Sequence, residues 1–156
     1  RLSQLLEVWL NSHEAKSPLL YDEFWGGAVA CGCYFDPKTA KCGNKVGPMC
    51  PGLNEFGSNF GHGFFQDHHF HFGYHIYAAA VVAHFLPEKA KSMHDKVMIM
   101  VRDIANPSEE DNYFPRWRHK DWFVGSSWAS GIIKRDVGPD PSGRNQESIS
   151  EAVNAY

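Results

Sequence analysis

Pro87 is the residue that most constrains what this chain can fold into. It interrupts helix-forming sequence that otherwise runs from His68 to Ile104, because proline lacks an N–H and its ring clashes with the preceding turn. The spacing predicts one helix over 68–85, favoured by Ala78, Ala79 and Ala80, and a second over 88–104. In the second, Ala90, Met93, Val97, Met100, Val101 and Ile104 form one apolar stripe that stops before Asn106-Pro107. Leu2 to Ser12 adds an amphipathic helix with apolar residues at 2, 5, 6, 9 and 10, and residues 145–156 turn helical again. No strand pairs stand out. The expected fold class is mainly α, with its chemistry at helix starts and in loops.

Residues 17–66 have no period and are rich in Gly and Pro, and loops that long in a compact domain are functional or covering elements. All four cysteines fall in this stretch, at Cys31, Cys33, Cys42 and Cys50, within a loop at about 28–52. The spacing lacks the paired Cys-x2-Cys knuckles of structural zinc and fits two local disulfides better, with three pairings open. Disulfides would place the protein outside the cell, whereas free thiols and a metal site are the alternatives. The longest apolar stretch, Ile76 to Phe85, is broken by His84 and too short to span a bilayer. The chain starts without Met and stops inside a helix-like pattern, so it reads as a segment of something larger.

A net charge of −3 without a basic face argues against nucleic acid as a partner. The unusual entries are aromatic residues at 14% and nine histidines, five of them between His62 and His75. Asp67-His68-His69-Phe70-His71-Phe72-Gly73-Tyr74-His75 mixes titratable groups with aromatic faces. Such a mixture suits a cleft that binds a polar, ring-shaped ligand, since each buried imidazole otherwise needs a partner. His71 and His75, at i and i+4, have the spacing of a zinc pair that Asp67 or His68 would complete. The Glu of His-Glu-x-x-His is replaced by Phe72, however, and a substrate-lining role competes with the metal reading. Asp67 would also serve as N-cap of the helix at His68.

Two further groups carry carboxylates. Glu147 and Glu151 are i and i+4, so their mutual repulsion raises a pKa and suits acid/base work, although Ser148-x-x-Glu151 also reads as a capping box. The irregular segment Tyr113 to Ser130 holds Phe114, Trp117, Asp121, Trp122, Phe123 and Trp128. Trp faces stack on pyranose rings while neighbouring carboxylates bind hydroxyls. Acetal hydrolysis needs two carboxyl groups flanking the sugar, and no Gly-x-Ser-x-Gly nucleophile motif or phosphate loop competes with that reading.

Asp67 to Tyr74, followed about eighty residues later by Asn145-Gln146-Glu147-Ser148-Ile149-Ser150-Glu151-Ala152-Val153-Asn154-Ala155-Tyr156, closely resembles glycoside hydrolase family 81, the endo-β-1,3-glucanases. Tyr21-Asp22-x2-Trp25-Gly26-Gly27 and Ser127-Trp128-Ala129-Ser130-Gly131 resemble the same family in the same order. The resemblance implies part of an (α/α)6 barrel whose β-sandwich partner domain is absent from this chain. It implies an inverting mechanism with Asp67 as general acid, Glu147 as base and Glu151 assisting, and no metal or other cofactor. Implied substrate contacts are Tyr21, Asp22, His69, His71, Tyr74, Asp121, Trp128 and Asn145. The implied partners are a β-1,3-glucan and the rest of the parent chain, in a secreted or cell-wall setting. Gln66, Ser126 and Ile149 depart from the family pattern, where Asn, His and a small polar residue are usual. A β-glucan receptor without catalysis and a zinc hydrolase on His71 and His75 are the other readings.

Overall fold

A computed structural model describes residues 1–11, 18–33, 35–36, 38–42, 50–55, 58–129, 131–132 and 149–156. Helices dominate it. Helix α1 is Leu2–Leu10, α2 is Pro51–Asn54, α3 is His68–Phe85, α4 is Pro87–Ala105 and α5 is Ile149–Ala152. Pro87 does more than end a helix. A single residue, Leu86, separates α3 from α4; it donates its N–H to Val82 O at 2.8 Å and accepts from Lys89 N–H at 2.8 Å. Pro87 then starts α4 at a position where its missing N–H costs nothing.

The α3–α4 pair is the frame of the molecule. Phe72, Ala79 and Val82 of α3 meet Met93, Met100, Ile104 and Ala105 of α4, and Leu6 and Leu10 of α1 close this core. Helix α3 has no single apolar stripe, because α1 and α4 cover part of it and the chain's last residues cover another part.

The expectation of no strand pairing is corrected by two short antiparallel hairpins. Strand β1 (Leu19–Asp22) pairs with β2 (Gly27–Ala30), and β3 (Phe35–Asp36) pairs with β4 (Lys41–Cys42). Strands of two to four residues are too short to show alternation in sequence. The β1–β2 turn is built by Asp22, whose Oδ1 accepts the N–H groups of Phe24 at 2.9 Å and Trp25 at 3.1 Å. Gly26 completes the turn at φ +66°, a conformation that disfavours side chains. Gly27 has no room for one, since an added Cβ would stand 2.0 Å from the Phe65 ring and 2.3 Å from Arg118 Nη1.

Cys31 is disulfide-bonded to Cys50, and Cys33 is also oxidised, so these cysteines bind no metal. The bond joins the end of β2 to the start of α2, where Gly52 N–H also donates to Cys31 O at 2.8 Å. Against this staple packs a 3-10 segment, Ser58–Phe64, in which Asn59, Phe60 and Gly61 all take positive φ. At the far end of α4, Arg102 grips Asp111 through two hydrogen bonds of 2.7 Å. That pair fixes the loop leading to the aromatic segment. Residues 145–148, the first part of the expected last helix, lie outside the described residues.

Adding a methyl group at Gly27 should destabilise the protein by about 2 kcal/mol, because it overpacks a site with no slack. Gly125→Ala, at φ +75° with nothing within 4 Å, should cost only about 1 kcal/mol of backbone strain. Urea unfolding of both variants checks the ranking. Arg102 holds the Asp111 carboxyl down to about 2, so its stabilisation is complete above the ordinary Asp range and is lost as pH falls from about 4 towards 2. Asp111→Asn should flatten that acid limb of a stability-versus-pH profile and weaken the protein near neutrality by about 1–3 kcal/mol.

Candidate active site

Asp67 occupies the N-cap position of α3, yet its side chain makes no capping bond to the helix. Its backbone is left-handed at φ 47°, an uncommon conformation for a residue with a Cβ, and Phe65 two residues earlier stands at φ 63°. The backbone is held there from both sides. Asp67 N–H donates to Ala129 O at 2.7 Å, while Asp67 O accepts from Phe70 and His71 N–H at 2.9 Å each. The carboxylate is thus carried on a strained turn clamped between a helix and the aromatic loop.

Asp67, His71 and Tyr74 follow at i, i+4 and i+7 and share one helical face. The Tyr74 hydroxyl donates to Glu151 Oε1, which draws α5 onto that face and raises the Tyr74 pKa. The structure therefore brings Glu151 to the helix that Asp67 begins. Gly73 permits the approach: a Cβ there would lie 3.1 Å from Ala155 N and 3.3 Å from Ala155 Cβ. Ser127 Oγ donates to the Tyr156 hydroxyl at 3.1 Å, joining the aromatic loop to the same terminal segment. Glu147 and Asn145 lie outside the described residues, as does Ser148 of the capping-box reading.

The remaining candidates fall into distinct settings. His71 and Tyr74 line a cavity of 260 Å³ together with Trp9, Asn59, His62 and His75. Tyr21 is 41% exposed and donates its hydroxyl to Tyr113 O, while Trp128 is half-buried. Asp22 and Asp121 both organise turns, the latter accepting from Phe123 and Val124 N–H at 2.9 Å each. His69 is buried beneath the surface at 1% exposure. His75 leans its ring edge on Trp9 at 5.3 Å and contacts His71 O through Nδ1 at 3.2 Å.

Behind Asp67 lies a buried network that the sequence reading missed. His68 Nδ1 meets Asp103 Oδ2 at 2.5 Å, and His68 Nε2 donates to His62 O at 2.8 Å. Asp103 Oδ1 accepts Ala28 N–H at 2.8 Å and lies 3.8 Å from Arg118 Nη1. His119 Nδ1 donates to Trp128 O at 2.7 Å. Burial pushes His68 down to about 3 and His69 to about 4, holds His62 and His119 well below the usual imidazole range, and lifts Asp103 to about 6. A signal for Asp103 did exist: a lone carboxylate stands between Met100 and Ile104, on a helix whose next turn is core. His119 carried none, since nothing local marks a loop histidine as buried.

The family model described as glycosyl hydrolase family 81 C-terminal domain matches residues 1–156. The chain belongs to glycosyl hydrolase family 81. The primary septum glucan endo-1,3-beta-D-glucosidase of Schizosaccharomyces pombe is 35% identical over 141 residues, which are 89% of this chain and 12% of that protein. A glucan endo-1,3-beta-D-glucosidase of Glycine max is 33% identical over 156 residues, covering 99% of this chain and 20% of its own length. A solved structure of a glycoside hydrolase family 81 protein from Clostridium thermocellum superposes with a TM-score of 0.65 at 28% identity. That match covers 97% of this chain and 18% of the solved one. The family 81 chain thus spans less than a quarter of the length of these relatives.

Removing the Tyr74 hydroxyl in Tyr74→Phe should loosen the family 81 terminal segment without unfolding α3. Hydrogen exchange over residues 149–156 should accelerate about tenfold, the loss of one charge-assisted bond, while the amides of 76–84 keep their protection.

Proposed function

We propose that this chain carries the acid and base of an endo-acting hydrolase that cuts β-1,3-glucans with inversion. The observation that supports it most is the shared face of α3, with Asp67 at its start and Glu151 secured by Tyr74 two turns on. Seven residues of helix rise about 10 Å, which sets Glu151, the residue that orients the base, along the same face as the acid. Inversion needs the acid and the base, here Asp67 and Glu147, roughly 6.5–9.5 Å apart.

In the proposed reaction, protonated Asp67 donates its proton to the glycosidic oxygen as the bond to the anomeric carbon breaks. Glu147 removes a proton from a water that attacks the opposite face. Glu151, fixed by Tyr74, orients that base. His71, Tyr74, Tyr21 and Trp128 supply faces and edges for glucose rings, Asn145 a polar contact, and Asp22 and Asp121 reach the substrate from their turns. His69 supports the groove from below.

The same reading makes residues 1–156 part of an (α/α)6 barrel, with the Cys-containing loop at about 28–52 as a stapled cover. The rest of the parent chain would supply the remaining barrel and a β-sandwich domain. A secreted or cell-wall location fits the Cys31–Cys50 disulfide, a bond rare in reducing compartments. The names of the relatives, glucan endo-1,3-beta-D-glucosidases, support the same substrate class.

Laminarin digestion by the full-length protein, followed by NMR, tests the mechanism. The α-anomer should appear first, and a first-formed β-anomer overturns inversion. Glu147→Gln should lower kcat by about 100-fold or more while glucan binding persists. Unchanged turnover removes Glu147 from the role of base.

A further inference from the structure

Three lone pairs converge in the network behind Asp67. His68 Nε2 donates to His62 O, so the neutral ring carries its lone pair on Nδ1, 2.5 Å from Asp103 Oδ2. His119 Nδ1 donates to Trp128 O, which leaves the lone pair on Nε2. That Nε2 is buried and has no hydrogen-bond partner. Donor atoms of His68, Asp103 and His119 lie within 4.8 Å of one another, and all three residues are at most 1% exposed.

A single proton shared between His68 Nδ1 and Asp103 Oδ2 answers two of these lone pairs and leaves the third, on His119, unanswered. A divalent cation answers all three. We propose that His68, Asp103 and His119 form a buried metal site that takes a borderline transition ion of the zinc class. Each histidine already donates its far N–H to a backbone carbonyl, the outer-shell arrangement that fixes a metal-binding tautomer. Asp103 likewise has its other oxygen committed to Ala28 N–H. Two imidazoles and one carboxylate suit zinc and disfavour calcium and magnesium, which take oxygen ligands. Arg118 Nη1, 3.8 Å from Asp103 Oδ1, is the one cationic group beside the three ligands among the described residues and opposes the cation.

The site is structural. It would bolt the start of α3 to α4 and to the loop that holds Asp67 through Ala129, and it is distinct from the His71 and His75 pair suggested by spacing alone. It differs also from the cysteine loop, which is oxidised.

The test is binding, independent of glucan hydrolysis. Full-length protein stripped with a chelator is titrated with Zn²⁺ and with Mg²⁺ by calorimetry, and its thermal unfolding is followed in parallel. The expected result is one equivalent of Zn²⁺, no Mg²⁺, and a higher Tm with Zn²⁺. His119→Gln should weaken Zn²⁺ at least tenfold, whereas His94→Gln, at an exposed histidine paired with Asp95, should leave it unchanged. Asp103→Asn removes an anionic ligand while its amide oxygen can still accept from Ala28, and provides the second variant should His119→Gln fail to fold. Wild-type protein that takes up no Zn²⁺, or variants that bind it as tightly as wild type, overturns the proposal.

Discussion

The contact between His68 and Asp103 is the constraint on which the rest of the structure depends. It joins the first residue of α3 to the last turn of α4 in a place that excludes water. A carboxylate buried without partners would cost several kcal/mol, so Asp103 recruits Ala28 N–H, His68 and Arg118 around it. Those partners come from β2, α3 and the aromatic loop. One buried charge therefore dictates where four separate stretches of chain must meet.

That meeting point explains the neighbouring oddities. Gly27 has no side chain because Phe65, Arg118 and Asp103 fill the space it would need. The left-handed run from Asn59 to Gly61 turns the chain so that His62 can offer its carbonyl to His68. The disulfide from Cys31 to Cys50 braces the same turn from outside. Strain at Asp67 is tolerated because Ala129 and the first turn of α3 hold its backbone on both sides. The strained residue is the carboxylate proposed to do the chemistry, and the surroundings over-determine its position.

Much of the helical frame was legible. The 3.6-residue stripe of Met93, Val97, Met100 and Ile104 and the break at Pro87 located α4 to within a residue at each end. The hairpins were not legible, because β1 and β2 are too short to alternate and owe their register to one turn built by Asp22. The motif from Asp67 to Tyr74 distinguishes its histidines only by sequence spacing. The structure sorts them by burial: His68 and His69 face inward, whereas His71 lines a cavity.

The sequence by itself determined α1, α3 and α4, the family and the candidate carboxylates, since these rest on local propensity and on contiguous motifs. Only the tertiary structure decided that Asp103 and His119 belong with His68, and that Tyr74 secures Glu151. Their separations of 35, 51 and 77 residues leave no trace in any local pattern. Buried electrostatics is a property of what surrounds a charge. A sequence names the charges, and only the fold supplies the surroundings.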